Sequence, residues 1–70
     1  MVRKNQKRLG KRIQKFRKDL GISQEKFSEM VDISRTHLGH IEQGRKSPSL
    51  EVLERIAKKL RVKVRDLFSL

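Results

Sequence analysis

Seventy residues with 19 Lys and Arg against 8 Asp and Glu leave a formal net charge of +11 and a pI near 11.0. A chain this short holds one domain, marginal on a single core, and the absence of cysteine removes disulfide staples and cysteine-based zinc sites. No apolar run reaches the length of a signal-peptide core or a membrane span, so the basic balance points to a polyanionic partner for a protein expected to stay in the cytoplasm.

Residues 1–5 are polar and unpatterned and read as a basic tail, with the domain proper spanning 6–70. Nine of the Lys and Arg, and no acid, lie within residues 1–18. The first helix is predicted to begin near Asn5, because Leu9, Ile13, Phe16 and Leu20 follow at helical steps and form one apolar stripe ringed by cations. Gly21 ends it. Ile22 leads at once into Ser23, a good N-cap, and Phe27, Met30 and Val31 mark the inward face of a second helix running to about Val31. Asp32, Ile33 and Ser34 interrupt the pattern: Asp tolerates a left-handed backbone and Ser34 can cap a third helix. That third helix has Leu38 and Ile41 as its inward pair and Gly44 as its left-handed stop. Its outward face offers Arg35, Thr36, Gly39, His40 and Gln43, with no acid, and so suits an anionic surface rich in acceptors.

Beyond Gly44, Arg45-Lys46-Ser47-Pro48 is a loop, since Pro biases Ser47 away from helix, and Ser49 can cap a fourth helix from about Leu50. Leu50, Leu53, Ile56, Ala57 and Leu60 form its stripe, with Glu51–Arg55 and Glu54–Lys58 as favourable spaced pairs outside. Val62 and Val64 begin a connector, and Arg65 to Phe68 read as a last helical turn. No strand is needed, so the expected fold class is all-α. His37 and His40 share a helix face, but without Cys or a third ligand nearby they make a poor metal site. No nucleophile elbow, paired carboxylates or Gly-rich phosphate loop suggests an enzyme.

Taken in order, Leu9-Gly10 with Ile13 and Arg17, Ser23-Gln24-Glu25, Leu38, Ile41-Glu42, Gly44, Ser47-Pro48-Ser49, Leu53, Ile56, Ala57 and Leu60 resemble the phage-repressor/Cro-type helix-turn-helix regulators. The resemblance covers roughly residues 9–68 and implies a compact five-helix, lambda-repressor-like domain. It departs at Ser28 (usually Ala), Asp32 (usually Gly), Arg61 (often Gly) and Lys63 (commonly a capping Ser or Thr), which suggests a short fifth helix. The family pattern implies base contact by Arg35, Thr36 and His40 from a third helix in the major groove. It implies backbone contact by Gln24, Ser34, His37, Gln43, Arg45, Lys46 and Ser47, with Gln24 also bracing Arg35. The residue chemistry agrees: Arg matches guanine O6 and N7, Thr offers a methyl or a hydroxyl, and His donates or accepts. Glu42, an acid at a helix end that approaches a polyanion, is implied to pair with Arg17.

The resemblance also implies a homodimer reading two half-sites of a palindromic operator. Val64, Leu67, Phe68 and Leu70 are the candidate interface, although Leu67 and Phe68 could equally close the core. The expectation is a sequence-specific double-stranded-DNA-binding transcriptional regulator, repressor-like, with no cofactor, metal, small-molecule ligand or membrane association. Two rival readings fit the same sequence: an antitoxin-like protein-interaction module, and a non-specific nucleic-acid or membrane-surface binder built on residues 3–20.

Overall fold

The computed structural model describes the backbone of residues 2–68 and the side chains of residues 5–68. Five helices follow in order among these residues: α1 (Val2–Asp19), α2 (Gln24–Met30), α3 (Arg35–Glu42), α4 (Leu50–Leu60) and α5 (Val64–Leu67). No strand occurs among the described residues.

The helix starts follow serine chemistry. Ser23, Ser34 and Ser49 are all extended at the cap, and their hydroxyls accept from the backbone N–H of Lys26, His37 and Val52 at 3.0, 2.9 and 3.2 Å. Each hydroxyl thereby satisfies one of the N–H groups that a helix leaves unpaired at its start. Lys63 has no oxygen to serve as a cap. The Asp66 carboxylate instead accepts from the Lys63 N–H at 2.8 Å and closes the single turn of α5.

The ends of α1 to α4 share one device. Gly21, Asp32, Gly44 and Arg61 are all left-handed, with φ of 71°, 60°, 77° and 60°. After each, the next residue's N–H reaches back to a carbonyl one turn inside the helix: Ile22 to Arg17, Ile33 to Ser28, Arg45 to His40 and Val62 to Ala57. Two of the four stops therefore use a residue with a Cβ, for which this conformation costs roughly 1–2 kcal/mol. Arg61→Gly is expected to raise stability by about 0.5–1 kcal/mol, the relief being partly offset by glycine's larger unfolded-state entropy. A rise in Tm of a few degrees in thermal melting is the check.

Phe27, Ile13, Leu38, Ile41, Ile56, Leu67 and Val31 are fully buried, so every helix contributes to one core. Three sequence expectations shift. α1 starts at Val2 rather than near Asn5, because nothing from residue 2 onward breaks a helix and residues 2–5 simply continue it. Leu20 leaves the apolar stripe: it lies past the end of α1 and is 53% exposed, while Ile22, just beyond the left-handed Gly21, packs on the core instead. Leu50, the first residue of α4, is 67% exposed, and Val52 takes the inward place, because the buried arc of this helix centres on Val52, Leu53, Ile56 and Leu60.

Candidate nucleic-acid interface

The exposed side of α3 is set by what lies beneath it. Leu38 and Ile41 are buried, so Arg35, Thr36, Gly39, His40 and Gln43 are turned away from the core. With Gln24 and Arg45 they line one surface depression. Arg35, Thr36, Gln43, Arg45, Lys46 and Ser47 are exposed, and His37 and His40 are half-buried on the same helix. Neither Arg35, Arg45 nor Lys46 takes part in an ion pair among the described residues. No ion pair among the described residues therefore offsets their charge.

The acid at the end of α3 is removed from this face by burial. Glu42 and Arg17 have side-chain exposures of 1% and 7%. Arg17 Nε donates to Glu42 Oε2 at 2.7 Å and Nη2 to Oε1 at 3.0 Å, a two-pronged pairing in which the planar guanidinium matches the carboxylate. The remaining Arg17 nitrogen, Nη1, donates to the Ile22 carbonyl at 2.7 Å, so the cation is fully engaged. Glu42 thus holds α1 to α3 and presents no negative charge outward.

Gln24 has a partner that the sequence did not indicate. Its Nε2 donates to Glu42 Oε1 at 3.0 Å, a charge-assisted bond from the start of α2 to the end of α3. The Gln24 amide consequently spans α3 at Gly39, where an added Cβ would meet it at 3.9 Å. The amide keeps its carbonyl and one N–H for other partners. Ser34 is committed as the α3 cap, accepting from His37 N–H, and Ser47 Oγ accepts from Gln6 Nε2 at 2.6 Å.

Leu67 is also corrected. It is fully buried and closes the core beneath α1, so it is withdrawn from the candidate dimer surface. Val64 is half-buried, Phe68 is 54% exposed, and Leu70 lies outside the described residues. Phe68 borders a groove with Leu9, Pro48 and Leu53.

Three residues escaped the sequence reading in their actual roles. Gly10 lies directly against the last carbonyls of α3, Gln6 binds Ser47, and Arg12 donates through Nε and Nη2 to the Asp66 carbonyl at 3.1 and 3.0 Å. The bonds to Asp66 tie α5 to α1, and Arg12 also stacks over the Phe16 ring of its own helix at 5.1 Å. A glycine inside a cationic helix was the one available signal for the first of these. Nothing local marked the other two.

A family model described as helix-turn-helix matches residues 13–67, from the inward face of α1 to the end of α5. The chain belongs to the helix-turn-helix family. Among its relatives is the control protein C.MunI of a Mycoplasma species, 38% identical over 63 residues that cover 89% of this chain and 85% of that protein. Among solved structures, the restriction-modification controller protein C.AhdI from Aeromonas hydrophila superposes with a TM-score of 0.85 at 29% identity, over 89% of this chain and 94% of that one. SinR, a master regulator for biofilm formation crystallised in complex with DNA, superposes with a TM-score of 0.81 at 31% identity, over 87% and 98% of the two chains. In helix-turn-helix terms, α2 and α3 are the paired helices, and the turn is the Val31 to Ser34 segment around left-handed Asp32.

Proposed function

We propose that this chain is a sequence-specific regulator of transcription that binds double-stranded DNA in the cytoplasm, reads the major groove with α3 and acts as a repressor-like homodimer on a palindromic operator. The carrying observation is the depression along α3, lined by Arg35, Thr36, His40, Gln43 and Arg45 with no acid among its lining residues, the acid that ends α3 being buried against Arg17. An α-helix fits the major groove, and a face of uncompensated donors and cations complements both phosphates and the acceptor-rich edge of guanine. SinR, similar in fold and 31% identical, was crystallised with DNA, and C.MunI is a control protein, which supports a regulatory rather than catalytic role.

In this reading Arg35, Thr36 and His40 reach the bases, while Gln43, Arg45, Lys46 and Ser47 grip the flanking backbone. Gln24, Ser34 and His37 border the same contact. Dimerisation would use the exposed Phe68 with Val64 and the neighbouring groove, placing two recognition helices about 34 Å apart, one turn of DNA.

Selection of bound sequences from a random duplex pool at moderate salt is the test. A palindromic consensus is expected, with specific binding roughly a thousandfold or more above non-specific; a pool that shows no enrichment would remove base reading. For Arg35→Ala, affinity should fall by about 1–3 kcal/mol for the preferred site, with preference lost at one base pair per half-site. Uniform weakening across all base permutations would reassign Arg35 to a phosphate.

A further inference from the structure

The basic run of α1 carries no assigned role in the α2–α3 contact, yet the fold directs one part of it to the same surface. Gln6, Lys7, Gln43, Gly44 and Arg45 line a second depression, and Gln43 and Arg45 also line the one along α3. The two depressions therefore adjoin at Gln43 and Arg45, the second lying between α3 and the first helix. The junction is tight. A Cβ on Gly44 would lie 2.6 Å from Lys7 Cγ and 2.7 Å from Lys7 Cα, so the stem of Lys7 rests on the left-handed turn that ends α3. One residue earlier, Gln6 Nε2 donates to Ser47 Oγ at 2.6 Å.

We propose that α1 carries a further phosphate-binding site: Lys7 beside Arg45, with Ser47 oriented by Gln6, so that the DNA-bound face extends past the helix-turn-helix onto the first helix. The inference rests on the DNA-binding reading above and adds contacts to it. Lys7 and Arg45 are both exposed, and neither takes part in an ion pair among the described residues. Like charges lining one depression repel each other until an anion lies between them. No acid occurs in residues 1–18, and Glu42 is closed off by Arg17 and Gln24. Among the described residues, no acid lines this depression.

The serine completes the site. A hydroxyl that accepts a short hydrogen bond from an amide N–H keeps its own O–H for donation elsewhere, and the accepted bond polarises it. Gln6 is then a positioning residue, acting on phosphate through Ser47, whereas Lys7 acts as a charge. The occupant is a backbone phosphate of the duplex already bound along α3, because Gln43 and Arg45 line both depressions.

Salt titration of binding to the selected duplex separates these roles. Lys7→Gln keeps the stem on Gly44 but removes the charge. The slope of log affinity against log salt should become shallower by about 0.9, the contribution of one neutralised phosphate, with base preferences unchanged. Lys7→Arg should restore the parent slope. Lys15→Gln, which removes an α1 cation paired with Asp19 on the exposed surface, should leave it unchanged. Gln6→Ala and Ser47→Ala should each weaken binding several-fold, and the double variant no further than either single. An unaltered slope in Lys7→Gln, or an equal loss in Lys15→Gln, overturns the phosphate site. Additive losses for Gln6 and Ser47, or none, overturn the relay. Failure of the parent protein to bind duplex selectively would instead overturn the functional reading itself.

Discussion

Glu42→Ala is expected to lower stability by about 3–5 kcal/mol, because it strands a guanidinium in the interior. Arg17 is 6% exposed, and two of its three nitrogens donate only to the Glu42 carboxylate. Removing the acceptor leaves that cation desolvated and half-satisfied, and Gln24 Nε2 loses its partner as well. For a domain of this size the loss corresponds to a fall in Tm of at least about 12 °C. The intact pair need not itself be strongly stabilising, since desolvation of both charges offsets much of their attraction. The double variant Arg17→Met/Glu42→Leu, which removes both charges and fills the space, should therefore melt above Glu42→Ala. A Tm for Glu42→Ala within 2 °C of the parent would mean that Arg17 finds water or another acceptor.

At Gly10 two effects oppose each other, and their magnitudes decide the sign. Within a helix, Gly→Ala ordinarily gains about 1 kcal/mol from backbone entropy. A Cβ at Gly10, however, would collide with the Ile41 carbonyl oxygen and come within 2.6 Å of the Glu42 oxygen and 2.8 Å of the Glu42 carbonyl carbon. These are main-chain atoms at the end of α3, so no side chain can rotate aside. α1 and α3 must separate, which also stretches the Arg17–Glu42 pair. Overpacking of this kind costs about 3 kcal/mol and outweighs the propensity gain. Gly10→Ala is expected to show a Tm about 10 °C lower by thermal melting, with weaker DNA binding because α3 is displaced. Gly39→Ala is the contrast: its Cβ meets nothing closer than Gln24 at 3.9 Å, so it should gain stability by about 0.5–1 kcal/mol. A Gly10→Ala protein as stable as the parent would show that the two helices can part at little cost.

Much of the architecture was legible because it is decided locally. Ser23, Ser34 and Ser49 announce three helix starts through bonds to the N–H three residues on, and Gly21 and Gly44 announce two stops through a backbone conformation that favours glycine. The inward positions of α2 and α3 follow from helical period, and so does the outward face that carries Arg35, Thr36 and His40. Family resemblance added the Arg17–Glu42 pairing, which no local rule could supply.

Period alone misjudges residues at the ends of elements. Leu20, Leu50 and Leu67 are all apolar and all lie at or near a helix end, yet two are exposed and one is fully buried. Which way each points depends on where the next helix crosses, and a single-helix pattern does not contain that information. The sequence by itself determined five helices, the three serine caps, the two glycine stops and a cationic α3 face, because these are settled by residues within about one turn of each other. Only the tertiary structure decided that Gln24 serves Glu42, 18 residues away, that Gln6 binds Ser47 across 41, and that Arg12 holds α5 across 54. Those contacts exist because Gly10 and Gly44 let α1 lie directly against the end of α3, and that crossing is set by the packing of the whole core.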